Sequence, residues 1–202
     1  MKKIWMVILG LVLVSSFLSA EVTKVGTTAL GFLKIDAGSR ATAMGGAYVS
    51  ITDDATAMFW NPAGVAATDK MEAVFHHSNW IADINYNYIA AVIPVARLGN
   101  IGLNATALSM ADMERTTIEN PEGTGETFSA GSYAFGLAFA RNLTDRFAIG
   151  FNVKYLYESI YHSSAQGVAF DIGTLFTTQF NGLRIGMSIT NYGPKVQMSG
   201  RD

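Results

Sequence analysis

Between positions 133 and 140 the chain reads Tyr-Ala-Phe-Gly-Leu-Ala-Phe-Ala, with every odd position large and apolar and every even position Ala or Gly. A period of two marks a strand with two unlike faces. The next segment repeats it, with Phe147, Ile149, Phe151, Val153, Tyr155 and Tyr157 on one face and Arg146, Gly150, Asn152, Lys154 and Glu158 on the other. Val168, Phe170, Ile172, Thr174 and Phe176 alternate with Asp171 and Gly173, and Leu183, Ile185, Met187 and Ile189 with Arg184, Gly186, Ser188 and Thr190. Upstream, Tyr86, Tyr88, Ala90 and Val92, then Ile101, Leu103, Ala105 and Ala107, carry a weaker form of the pattern. With a fainter strand at its head, this predicts seven strands, at 71–79, 85–96, 100–110, 131–141, 146–159, 167–179 and 182–192.

Each strand is long enough for the roughly 9 to 11 residues that a tilted membrane strand needs. Leu98-Gly99-Asn100, Leu143-Thr144-Asp145 and Asn181-Gly182 read as tight turns, whereas 110–130 and 160–166 read as longer polar loops. Short turns on one side and long loops on the other are the pattern of an outer-membrane barrel. The fold class expected is therefore all-β, an antiparallel transmembrane β-barrel. A soluble periplasmic β-sandwich, acting as a binding module, also alternates. Its outer faces should be charged, and here the polar face is mostly Gly, Ala, Ser, Thr and Asn. Tyr86, Tyr88, Tyr155, Tyr157 and Tyr161 near strand ends fit an interfacial aromatic girdle.

Composition agrees: the 202 residues are 50% hydrophobic but only 15% charged, against about 25% charged in an average soluble domain. Beyond residue 20 no apolar run approaches the 18 residues of a membrane helix. At the start, Lys2 and Lys3, an apolar stretch from 4 to 14 and the small residues Ser15, Ser16, Ser19 and Ala20 read as a secretory signal peptide cleaved near Ala20. Losing two of the 14 basic residues leaves 12 against 16 acidic ones, a net charge of −4. No basic footprint for nucleic acid exists. With no cysteine, disulfides, thiolate catalysis and Cys-ligated metals are excluded.

Inward charges at Arg146, Lys154, Glu158, Asp171 and Arg184 would be costly in lipid, about 2 to 4 kcal/mol for a basic residue at the midplane, and belong in a lumen. There they line a path or pair with Arg40, Asp53 and Asp54; pairing is the favoured reading. His76-His77-Ser78 with Asp83 lacks the oriented third partner that nucleophilic chemistry needs, and Asp53-Asp54 lacks the oxygen-ligand spacing of a calcium loop. The reading is a non-enzymatic protein with no cofactor and no metal site. The polar stretch 110–130 is expected to be a solvated external loop.

Residues 36–64 behave differently, being small and glycine-rich. Thr52 or Asp53 is expected to cap a short helix reaching about Phe59, which Trp60-Asn61-Pro62 then ends, since the residue before proline avoids the helical region. Gly45-Gly46 would allow close backbone packing. Gly38-Ser39-Arg40, Ala43-Met44-Gly45-Gly46-Ala47-Tyr48, Asp53-Asp54-Ala55 and Trp60-Asn61-Pro62-Ala63-Gly64 occur in that order. The stretch resembles the N-terminal signature of the PorV/PorQ family of FadL-like outer-membrane proteins.

That resemblance implies a barrel of about 14 strands whose N-terminal segment folds inward as a plug. The domains are then a signal peptide (1–20), a plug (21–70) and the first half of the barrel (71–202). At about 17 residues per strand, the chain is about a hundred residues short of 14 strands, so a truncated gene product is expected, with self-association into a closed barrel as the alternative. The implied function is secretion of exported proteins through a type IX machine or transport across the outer membrane of a Gram-negative-type bacterium. Implied partners are outer-membrane lipid, secretion-system proteins or exported cargo. In a FadL-like channel they would instead be hydrophobic molecules such as long-chain fatty acids.

Overall fold

The computed structural model describes residues 29–200; the expected signal peptide and the first part of the expected plug, 21–28, lie outside them. The described chain opens with small helical elements: a 3-10 turn Gly31–Lys34, α1 (Ser39–Ala43), α2 (Ala57–Trp60) and a second 3-10 turn Pro62–Ala67. Then come β1 (Glu72–Asn79), β2 (Asn85–Val95), β3 (Gly99–Ser109), the two-residue β4 (Met113–Glu114) and β5 (Thr127–Phe128), β6 (Ala130–Thr144), β7 (Phe147–Ile160), β8 (Ser163–Thr177), β9 (Arg184–Tyr192) and the two-residue β10 (Ser199–Gly200). The fold is all-β. One antiparallel sheet runs β1-β2-β3-β6-β7-β8, with β9 and β10 both on the far edge of β8, and β4 and β5 pair as a separate arm. No helix among the described residues is long and apolar enough to cross a membrane, which says nothing about strands.

All seven expected strands are present. Phe180-Asn181-Gly182-Leu183 closes its hairpin with positive φ at both Asn181 (48°) and Gly182 (70°), the twist-matched geometry for which Asn-Gly is suited. Two connections differ from expectation. β8 begins at Ser163, so the supposed loop 160–166 is a turn of Tyr161 and His162; its polar start hid a strand carried by backbone pairing to β7. The 110–130 stretch is partly ordered, with β4 and β5 joined by an Arg115–Glu126 ion pair at 2.6 Å.

The sheet is inside-out relative to a water-soluble protein. Antiparallel register aligns side chains across it in rows that share one face. His77, Asn87, Ala107, Tyr133, Tyr157 and Gln166 form an outward row; the next is Phe75, Ile89, Ala105, Phe135, Tyr155 and Val168. Further rows of Leu103, Leu137, Val153, Phe170 and of Ile93, Ile101, Phe139, Phe151, Ile172, Ile189 follow, down to Phe147, Phe176 and Ile185. From Tyr157 to Phe147 is ten residues, about 33 Å along the strand and about 25 Å at a tilt of about 40°, the height of a barrel's apolar band.

Tyr86 and Tyr88 do not join the girdle. They are 2% and 1% exposed and face inward, where the Tyr86 hydroxyl donates to the Ile35 carbonyl (3.1 Å) and Tyr88 meets Phe59 edge-on. The outward face of β2 is instead Ile89, Ala91 and Ile93. Elsewhere the inward face is small or polar, with Asn100, Gly102, Asn104, Ala134, Ala138, Gly150, Asn152, Lys154, Ala169 and Asp171, and it is buried because the segment 29–70 packs on it.

Candidate functional site

The segment 29–70 meets the wall most closely through Asn61, which is fully buried. Pro62 forces Asn61 out of the helical region (φ −156°, ψ 102°), ending α2 where the sequence predicts. From that position the Asn61 amide nitrogen donates to the Val49 carbonyl (2.8 Å) and to the Thr174 carbonyl of β8 (3.1 Å), and its oxygen accepts from the Ala63 amide (3.1 Å). The neighbouring wall positions are Gly150 and Gly173, paired across β7 and β8. A Cβ at Gly150 would overlap the Pro62 carbonyl, and one at Gly173 the Asn61 side chain. Gly64 is equally constrained, because a Cβ there would overlap Thr52.

Wall asparagines donate to four further carbonyls of this segment. Asn100 donates to Val65 and Thr68 (both 2.7 Å), Asn142 to Ala66 (3.0 Å) and Asn152 to Met58 (3.2 Å). Irregular backbone leaves such groups unpaired, and burying them costs free energy unless partners are supplied. Asn152 also donates to Asp171 (2.9 Å), which Lys154 approaches at 2.9 Å. Across from Asp171, β9 carries a register shift and Asn191 a positive φ of 58°. This turns the Asn191 amide onto the Asp171 carboxylate (2.6 Å), while Lys154 donates to the Asn191 side chain.

The first part of the segment is knotted on itself. Arg40 donates to Asp53 (2.6 Å) and to the Tyr48 hydroxyl (3.1 Å) and lies 3.7 Å from Asp54; the Tyr48 hydroxyl in turn donates to Asp54 (2.8 Å). Burial, then the hydrogen bond to Asp54, push the Tyr48 phenol up to about 12, and Asp53 holds the Arg40 guanidinium above its usual value. Trp60 stacks edge-on to Tyr48 and donates its indole N–H to the Ala37 carbonyl (2.9 Å). The N-cap of α2 is Thr56, without a side-chain cap, so the helix starts later than a cap at Thr52 or Asp53 would have it; Asp54 accepts from the Thr56 amide (2.9 Å) in the turn that precedes it. Gly45 and Gly46 both have positive φ (63° and 79°); nothing lies within 4 Å of a Cβ at Gly45, whereas one at Gly46 would touch the Trp60 ring at 3.5 Å. Gly38 has φ 94°; Ser39 opens α1, and Ser39 and Met44 are exposed.

The candidate lumen charges separate. Lys154 and Asp171 pair with each other on adjacent strands, Glu158 accepts from the Leu30 amide (2.5 Å), and Arg184 donates to the Thr52 carbonyl (3.4 Å). Arg146 sits exposed at the β6–β7 turn, off the inward face. The expected ion pairs between wall and segment are absent among the described residues: wall charges pair with wall charges, and Arg40 with Asp53 and Asp54 beside it. His76 faces inward, stacked on Tyr88, while His77 faces outward between the Asn87 and Asn79 amides, and Asp83 lies beyond β1. That divides the His-His-Ser cluster between two faces. Among the described residues no three His, Asp or Glu side chains are grouped to hold a metal.

The architecture is that of an all-β protein whose outward face is apolar and whose small, polar inner face receives a glycine-rich N-terminal segment. The profile of the family described as the type IX secretion system protein PorV matches residues 18–201, and the chain belongs to that family. No curated protein and no solved structure matches the chain.

Proposed function

We propose that this chain is a non-enzymatic, membrane-seated component of type IX secretion that works through its external surface rather than as an open pore. The wall is read as part of an outer-membrane barrel, with the apolar rows in lipid and residues 29–70 as its plug. One observation carries the reading. The inner face of β3, β6, β7 and β8 is occupied by the 57–68 segment, and Asn100, Asn142, Asn152 and Gly150 are committed to that segment's backbone. A permeation path along this face would have to displace Asn61 and leave several buried polar groups without partners. The soluble sandwich reading is weaker, because only the β4–β5 arm lies outside the main sheet among the described residues.

A cavity of about 460 Å³ between the 34–42 stretch and β1, with Ile35, Trp80 and Tyr86 in its lining, favours the FadL-like uptake channel as the second reading. One experiment separates the two. In cells lacking the native gene, residues 116–125 of the external arm are replaced by a Gly-Ser linker, and export of a type IX cargo is scored beside uptake of a long-chain fatty acid. The secretion reading expects lost export with unchanged uptake. Intact export with reduced uptake overturns it in favour of the channel.

A further inference from the structure

One outward row of the wall carries a charge. It reads Val95, Gly99, Arg141, Ile149, Thr174 and Met187 from β2 to β9, and lies between the Phe139–Phe151 row and the Phe147–Phe176 row. Arg141 follows Phe135, Leu137 and Phe139 on the exposed side of β6, so its stem starts inside the apolar band, close to the short-turn end. Gly99 beside it has a φ of 130° and no side chain; a Cβ there would overlap the Ala140 carbonyl and lie 3.2 Å from the Arg141 Cβ. The β2–β3 turn, closed by the Leu98 amide on the Val95 carbonyl (3.0 Å), carries Arg97 at a positive φ of 69°. Arg97 and Arg141 line one recess of about 300 Å³. No Asp or Glu is in that lining, and neither arginine forms an ion pair among the described residues. Asn100 and Asn142 share the recess, but their amide groups already donate to Val65, Thr68 and Ala66. The recess therefore has two positive charges and no negative one.

We infer that this recess binds the phosphate of an anionic phospholipid of the inner leaflet, with both guanidinium groups donating to its oxygens; the inference rests on the membrane reading above. Short turns mark the periplasmic end of a barrel, which puts the recess at the level of the inner-leaflet head groups. An arginine on a lipid-facing column keeps its stem against apolar neighbours and carries its charge to the boundary, where the anions at hand are phosphodiesters. Guanidinium suits them, because its planar fork makes paired hydrogen bonds to phosphate oxygens. Two like charges in one recess also repel until an anion neutralises them. Arg141 decides between a lipid phosphate and a carboxylate of a periplasmic protein. Its stem rises from the lipid-facing side, which a head group reaches and a water-soluble chain does not. The other basic side chains of the short-turn end lack this arrangement: Arg184 donates to the Thr52 carbonyl, and Arg146 stands in the β6–β7 turn outside the recess.

The test uses the full chain in dodecyl maltoside micelles, titrated with phosphatidylglycerol and read by native mass spectrometry. The expected result is one retained phosphatidylglycerol whose Kd rises about tenfold in Arg141→Gln and in Arg97→Gln, stays the same in Arg146→Gln, and takes an intermediate value in Arg141→Lys, which keeps the charge and loses the fork. Diacylglycerol, which lacks the phosphate, should not be retained. Equal affinity in the natural protein and both glutamine variants overturns the site and leaves the membrane reading standing. Displacement by inorganic phosphate at the concentration of the lipid overturns the lipid source in favour of a free phosphate. Displacement by hexaglutamate and not by inorganic phosphate overturns the phosphate assignment in favour of a protein carboxylate. A chain that stays monodisperse in buffer without detergent overturns the membrane reading and this inference with it.

Discussion

The two halves of the 29–70 segment are held by different means. Residues 57–68 are fixed by the wall: their carbonyls accept from Asn100, Asn142 and Asn152, Asn61 reaches β8, and Gly150 and Gly173 let the backbone come close. Residues 29–54 touch the wall through few polar contacts, such as Glu158 to Leu30 and Tyr86 to Ile35, and rely on the Arg40, Tyr48, Asp53 and Asp54 knot. The signature is thus two devices in one stretch. Trp60 to Gly64 sets the segment onto the sheet, whereas Arg40 to Asp54 folds the segment's own first half. Buried contacts with no water to replace them should dominate stability, and the exposed ion pair should contribute little.

The largest effect is expected at the Lys154–Asp171 pair beneath the seated half, where both side chains are nearly inaccessible, at 8% and 0%. Lys154→Met leaves Asp171 charged and buried with only Asn152 and the Asn191 amide, and should cost about 3 to 5 kcal/mol. The double change Lys154→Met with Asp171→Leu removes the orphan and should recover more than half of that loss. Urea unfolding in detergent micelles measures both. A double variant no more stable than the single one would assign the role to Asp171 alone, through the Asn191 bulge.

Asn61→Ala comes next. It strips partners from the Val49 and Thr174 carbonyls and from the Ala63 amide at a site closed to water, for a cost of about 2 kcal/mol. Hydrogen exchange should rise first at Val49–Ala63 and along β8 and β9. Loosening confined to 29–48 would reverse the assignment of the two halves.

The strands were legible because a period of two survives wherever one face is large and the other small, as on β6 and β7. It fails on β2, where Tyr86, Tyr88, Ala90 and Val92 alternate with Ile89, Ala91 and Ile93, so both faces are apolar and the period cannot say which is inward. Contact with Ile35 and Phe59 decides it. Asn100, Asn142 and Asn152 escaped attention as site residues for a related reason: their partners are backbone carbonyls of a distant segment, which no side-chain pattern announces. A signal was present, since asparagine is out of place on a strand interior unless its amide is used. The signature itself is visible, but sequence alone pairs charges across the boundary between the 29–70 segment and the wall. Short range prevails there, because Arg40 finds Asp53 beside it on the same fold of chain.

In the self-held half, Tyr48→Phe removes the hydroxyl that donates to Asp54 and accepts from Arg40, at a cost of about 1 kcal/mol near neutral pH. The phenol's affinity for its proton is raised from 10.0 to about 12 in the folded protein. A group with a raised folded value contributes stability that is complete below the unfolded value and is lost as pH climbs to the folded one. The advantage of the natural protein over Tyr48→Phe should therefore hold up to pH 10 and shrink between 10 and about 12. Unfolding midpoints taken along that range check it, and an advantage constant to pH 12 would mean that the phenol is not held neutral by the fold.

The smallest effect should come from Arg40→Gln, although its ion pair with Asp53 is only 2.6 Å long. Its partners at Asp53 and the guanidinium are about half exposed, at 46% and 56%, so water competes for both charges. A median exposed pair contributes about 0 to 1 kcal/mol, and much of that is screened as salt rises toward 1 M, where the Debye length falls to about 3 Å. The loss on substitution should accordingly be below about 1 kcal/mol at low salt and vanish at high salt. A salt-independent loss as large as that of Asn61→Ala would show the knot to be shielded from water. The contrast between the two halves would then rest on geometry alone.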